Sequence, residues 1–255
     1  VTPVSPGLRA TLATCLLQLG DSQEAVVHLR QILAQDSTNA NVRFNLGRAL
    51  LDMQNFVEAE RVYAAFVADH PGDAEGFNHL GLARLGMGDP GAAERCFRAA
   101  LGLHAGDPLF HGNLAQCLSD QARPAEAELA FVEALRLDPE AAGIRCQLGW
   151  FKITQGDLQA AQAAFEGALA RRPSDVSAGA GLATVYERRG DLRGASEALA
   201  PHLDAAPAHP RVAMCFARVS KQLGQPEAAL AVVRRALEPA LPKHQEAGLR
   251  FAEGD

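Results

Sequence analysis

One interval governs this chain. Laid out in blocks of 34 residues from Pro6, it falls into seven registers without an insertion or deletion. Position 20 of the block is alanine every time: Ala25, Ala59, Ala93, Ala127, Ala161, Ala195 and Ala229. Position 8 is always glycine or alanine (Ala13, Gly47, Gly81, Ala115, Gly149, Ala183, Ala217), and position 7 is leucine in six blocks and Phe216 in the seventh. Proline stands at position 32 in four blocks, as Pro71, Pro139, Pro173 and Pro207. Such a period outranks every other feature, because it means one supersecondary unit copied along the chain.

The spacing inside the block has a physical reading. Positions 7, 8 and 11 share one helical face, as do 20, 24, 27 and 28, so each block holds two amphipathic helices. Between them, position 15 carries Gly20, Gly88, Gly156, Gly190 and Gly224, the residue suited to a helix end with positive φ. The small residues at 8 and 20 mark where the two helices cross, and the proline at 32 ends the second helix. No block buries its apolar face alone; stacked neighbours share one continuous core. The expected architecture is an all-α, right-handed solenoid of seven helix pairs: residues 6–39, 40–73, 74–107, 108–141, 142–175, 176–209 and 210–243. A tail (1–5) precedes them, and 244–255 reads as the start of a further helix or a cap. Position 27 departs from alanine at Ile32, Phe66 and His202, where less regular packing is expected.

Composition narrows the function. A net charge of −6 with no lysine/arginine run argues against nucleic acid or an anionic membrane as partner. No run of 18 apolar residues exists to span a bilayer. Five scattered cysteines without a C-x-x-C pair suggest buried thiols in a reducing compartment. With no leader pattern, the cytoplasm is expected, and the periplasm if a leader has been removed. Heavy arginine and alanine usage suggests a bacterial source. "GMGDPG" at 86–91 matches a dinucleotide fingerprint, but it falls on an interhelical turn with no strand before it. The eight histidines lack metal-ligand spacing, and no nucleophile elbow or phosphate loop occurs. The chain therefore reads as non-catalytic, with no cofactor and no metal.

A 34-residue helix-turn-helix with Leu-Gly/Ala at 7–8, Ala at 20, a large residue at 24 and Pro at 32 resembles the tetratricopeptide repeat. The resemblance implies a protein–protein interaction scaffold whose first helices line a concave groove with positions 2, 5, 6, 9, 12 and 13. Those positions give a mixed early zone with Asn45, Arg48, Asn78 and His79. A more apolar middle follows, with Leu82 and Trp150 beside Asn113, Gln116 and Gln147. The end is basic: Arg211, Arg218 and Lys221, on one helical face. Asn45, His79, Asn113 and Gln147 all occupy position 6, just before Leu-Gly/Ala. An amide there bonds both groups of a peptide unit without reading its side chain. The partner implied is an extended peptide or protein. Two alternatives stand beside it. One is the substrate-selecting arm of a bacterial sulfotransferase or O-glycosyltransferase, with a fused catalytic domain after Asp255. The other is an assembly subunit of an envelope or secretion machine. The lysine at 5 and asparagine at 9 of the chaperone-tail carboxylate clamp are missing.

Overall fold

The computed structural model describes residues 5–205 and 209–237, which form fourteen α-helices. They divide between two compact units, residues 1–139 and 140–255. The first unit holds α1 (Pro6–Leu19), α2 (Ser22–Leu33), α3 (Ala40–Asp52), α4 (Phe56–Asp69), α5 (Ala74–Gly86), α6 (Pro90–Leu103), α7 (Pro108–Asp120) and α8 (Pro124–Leu137). The second holds α9 (Ala142–Thr154), α10 (Leu158–Arg171), α11 (Val176–Arg188), α12 (Leu192–Ala205), α13 (Pro210–Gln222) and α14 (Pro226–Leu237). The fold is an α-solenoid of seven helix pairs, and its first helices open 34 residues apart, at Pro6, Ala40, Ala74, Pro108, Ala142, Val176 and Pro210. The segment 244–255 and Pro207 lie outside the described residues.

Each boundary has a local cause. Asp or Asn side chains cap most of the helices: Asn39 accepts from the Val42 N–H, Asp73 from Gly76 at 2.7 Å, and Asp89 from Ala92 at 2.8 Å. Asp89 lies within "GMGDPG", so that stretch is a helix end, a turn and a capped helix start. The residue at position 15 is left-handed in all seven blocks, with φ from 56° to 82°. Five are glycines; Gln54 (φ 57°) and Ala122 (φ 56°) adopt the same conformation at a cost.

Six of the seven position-20 alanines are wholly buried at the helix crossing (Ala25, Ala59, Ala93, Ala127, Ala161 and Ala195). In three blocks a glycine at position 8 makes room for a ring at position 24 across the same crossing, whereas block four holds Ala115 with Phe131. A methyl on Gly47, Gly81 or Gly149 would stand 2.6 Å from the ring of Tyr63, Phe97 or Phe165, respectively. Where position 24 is the smaller Leu29 or Leu199, position 8 is Ala13 or Ala183. At position 27, a glycine of an adjacent first helix faces each of two large residues. Phe66 lies on Gly76 of α5, and His202 lies on Gly179 of α11. His202 is 3% exposed, next to Pro201 inside α12.

Candidate functional site

Within each unit, successive first helices touch one another: α1 with α3, α3 with α5 and α5 with α7 in the first, α9 with α11 and α11 with α13 in the second. No two second helices do so among the described residues. Closer spacing on one side bends each unit towards its first helices, which therefore form its inner face.

On the inner face of the first unit, the position-6 side chains Asn45, His79 and Asn113 are half-buried, beside the apolar stripe. The Asn113 amide donates to Asn78 Oδ1 at 2.8 Å, which ties α7 to α5 and leaves the second amide group of each residue. Asn78 is 6% exposed, so it acts from beneath Asn113. The Asn45 amide has no protein partner among the described residues, whereas Gln116 donates to Asp120 at 2.8 Å. His79 stacks on Tyr63 (centroids 5.2 Å apart) and meets the edge of Phe44, with Nδ1 2.9 Å from the Glu75 carbonyl. Burial holds its imidazole below the ordinary pKa, and Arg48 adds to this. His79 is thus a neutral, largely packed aromatic. Leu82 is half-buried in the same helix.

At positions 2, 5, 6 and 9 of the block, α11 in the second unit carries Ser177, Ala180, Gly181 and Thr184, a trough of small residues. Trp150 of α9 leans into it: its indole N–H donates to Ser177 Oγ at 3.1 Å, and its edge meets Phe165. The Arg211 guanidinium of α13 lies 5.3 Å from the centre of the Trp150 ring. Gln147 is half-buried with no protein partner for its amide among the described residues. Burial pushes the Cys146 thiol up, against hydrogen bonds with Ser177 and Trp150.

The basic end is weaker than its residues suggest. Glu187 of α11 accepts from Arg218 Nε and Nη2, both at 2.6 Å, and from Gln222 at 3.1 Å. Arg218 is therefore neutralised in place, and Arg211 and Lys221 are left as exposed cations. Neither Glu187 nor Ser177 stood out in the sequence; each lies on a groove-facing position and shows its role only through the residue one block away. No helix among the described residues is long and apolar enough to cross a membrane.

No curated protein matches this sequence. Among solved structures, a chain of the APC/C hetero-tetramer Cut9–Hcn1 superposes with a TM-score of 0.73 at 17% identity, over 88% of this chain and 45% of its own. This chain thus spans less than half the length of that relative. A tetratricopeptide repeat protein from Parabacteroides merdae gives 0.69 at 14% identity, with 96% of both chains covered. PilW, a type IV pilus biogenesis factor, gives 0.66 at 20% identity, over 82% of this chain and 98% of its own. At these identities the likeness is one of fold. Two family models, both described as tetratricopeptide repeat, match residues 16–78 and 152–219 and residues 78–142. The chain belongs to the tetratricopeptide repeat family.

Proposed function

We propose that this chain is a non-catalytic scaffold that holds an extended peptide, or an extended segment of a partner protein, against its first helices. The observation that carries the reading is the set of half-buried amides at position 6. Asn45 and Gln147 have no partner among the described residues, and Asn113 keeps its carbonyl free while bonded to Asn78. An amide held at the edge of a buried stripe loses little entropy on binding and offers a donor and an acceptor to a peptide unit. In the second unit the Arg211–Trp150 stack supplies a cation beside an apolar plate, and Lys221 supplies a second charge. That pairing favours a partner with an acidic side chain next to a hydrophobic one.

Binding of fluorescent peptides from an array, read for wild type and three folded variants, tests this. Losing both Asn45 and Asn113 to alanine should weaken all binders alike, each backbone bond being worth about 0.5–1.5 kcal/mol. Arg211→Glu should weaken acidic peptides selectively and flatten their salt dependence. Trp150→Phe keeps the ring packing, loses the bond to Ser177 and should cost a smaller, sequence-dependent factor. Unchanged binding in all three variants would remove the inner face from consideration.

A further inference from the structure

Away from its inner face, the first unit pairs most of its arginines with carboxylates: Arg30 with Glu58, Arg84 with Glu60 at 3.1 Å, and Arg123 with Glu94 at 2.7 Å. The inner face is different. Asp52, Glu75 and Asp120 make no ion pair among the described residues. Asp52 accepts from the Ser22 hydroxyl at 3.2 Å and Asp120 from the Gln116 amide at 2.8 Å, while the Glu75 carboxylate accepts from no described group. Arg48 is the one cation at these positions, half-buried and also without an ion pair. The whole unit carries 17 acidic against 10 basic residues, and a concave surface concentrates such a field.

The local geometry says what the unpaired charges suit. Glu75, Asn78, His79 and Leu82 stand at i, i+3, i+4 and i+7, along one side of α5. Asp52 and Arg48 come alongside from α3. Burial pushes the Tyr63 phenol up, Arg48 opposes this, and Asp52 and Glu75 reinforce it, so the three charges lie around the Tyr63–His79 stack. His79 Nδ1 carries the ring proton, because the Glu75 carbonyl 2.9 Å away can only accept. Nε2 is then an acceptor without a partner among the described residues. Asn78 gives a separate signal. It is 6% exposed and its Oδ1 is taken by Asn113, yet its Nδ2 has no partner among the described residues and is not sealed from solvent. A buried amide with one donor open to the groove is completed by a carbonyl of a chain lying across it.

Around His79 there is thus a set of acceptors: two carboxylates and Nε2. They suit a side chain with donors alone, a lysine ammonium or an arginine guanidinium. Leu82 can cover its aliphatic stem. In the second unit the balance is reversed. Arg211 and Lys221 are unpaired there, and Glu187, the one carboxylate at the inner positions, is held by Arg218. We infer that the two units take segments of opposite charge, and that the segment held by the first is basic: a lysine or arginine lies on the His79 ring beside Glu75 and Asp52, and Asn78 donates to a carbonyl of the same segment. Arg48 restricts this to basic residues set apart from one another, not in an unbroken run. The inference rests on the inner face being the binding surface, and names what the first unit selects there.

Three fluorescein-labelled peptides test it, identical except at three spaced positions filled by lysine, by glutamate or by serine. Fluorescence anisotropy with the full chain reads their binding. The lysine peptide should bind wild type at least about fivefold more tightly than the serine peptide, with an advantage that shrinks as salt is added. Glu75→Lys, at an exposed position, should weaken the lysine peptide about five- to tenfold and leave the glutamate peptide unchanged. Arg211→Glu should do the reverse. Glu24→Lys makes the same change of net charge at an exposed position of α2 and should leave both peptides near wild type. A lysine peptide no tighter than the serine peptide, or one weakened equally by Glu24→Lys and Glu75→Lys, would overturn the inference. The double change of Asn45 and Asn113 to alanine separates the two levels. If it weakens the serine peptide while the charge variants do nothing, the inner face binds without selecting charge and only this inference fails. If no peptide responds to any variant, the inner face is not the binding surface and both fail.

Discussion

At the scale of single residues, the helix pair is held by exclusion: what is missing from position 8 decides how close two backbones come. A methyl on Gly47 would stand 2.6 Å from the Tyr63 ring, closer than carbon atoms approach. Gly47→Ala should therefore destabilise the fold by about 1–3 kcal/mol, read as a lower denaturant midpoint. The same change made in a Tyr63→Leu background should cost less, since Ala13 and Ala183 already face leucine. Equal costs in both backgrounds would show that the two positions do not meet. The turn offers a change of opposite sign. Ala122 holds φ 56°, and Ala122→Gly relieves a conformation that costs a side-chain-bearing residue about 1 kcal/mol. Its melting temperature should rise, while Gly156→Ala, at φ 77°, should lower it.

At the scale of the element, block six departs most from the pattern, and the departure titrates. His202 of α12 is buried against Gly179, its Nδ1 has no partner among the described residues, and Asp175 is the charged group that bears on it. Burial holds the folded-state pKa below the ordinary histidine value of about 6.5, with Asp175 opposing. Because the unfolded chain takes up the proton first, this part of the stability is present above pH ~6.5 and is lost as pH falls below it. His79, whose pKa is lowered by its own burial, acts in the same direction. Thermal melts should show a midpoint that drops below that pH, and His202→Leu should reduce the slope. A slope unchanged by the substitution would place the titrating group elsewhere. The elements themselves were legible in the sequence, because a helix crossing needs small residues at fixed spacing and the period shows them seven times. The partners of polar side chains were not. Arg218 could have reached a ligand, solvent or Glu187, and only the placement of α11 beside α13 selects Glu187. Likewise, Asn78 reads as a groove residue by its position, yet Asn113 closes over it. A long or polar side chain chooses among several groups within reach, and the repeat period carries no trace of that choice.

At the scale of the whole molecule, the proposed function requires the inner face of each unit to bind and the outer face not to. Successive first helices touch and successive second helices do not, so the position-6 amides and Trp150 lie on the inner side of their units. A photo-crosslinking amino acid placed singly at Gln116 or Gln147, on the inner faces, and at Arg61 or Gln159, exposed on second helices, reads the claim directly. Each folded variant is mixed with the tightest-binding peptide from the array and irradiated. Covalent adducts are expected from Gln116, from Gln147 or from both, and none above background from Arg61 and Gln159. Adducts from the second-helix positions, with the inner positions silent, would contradict it.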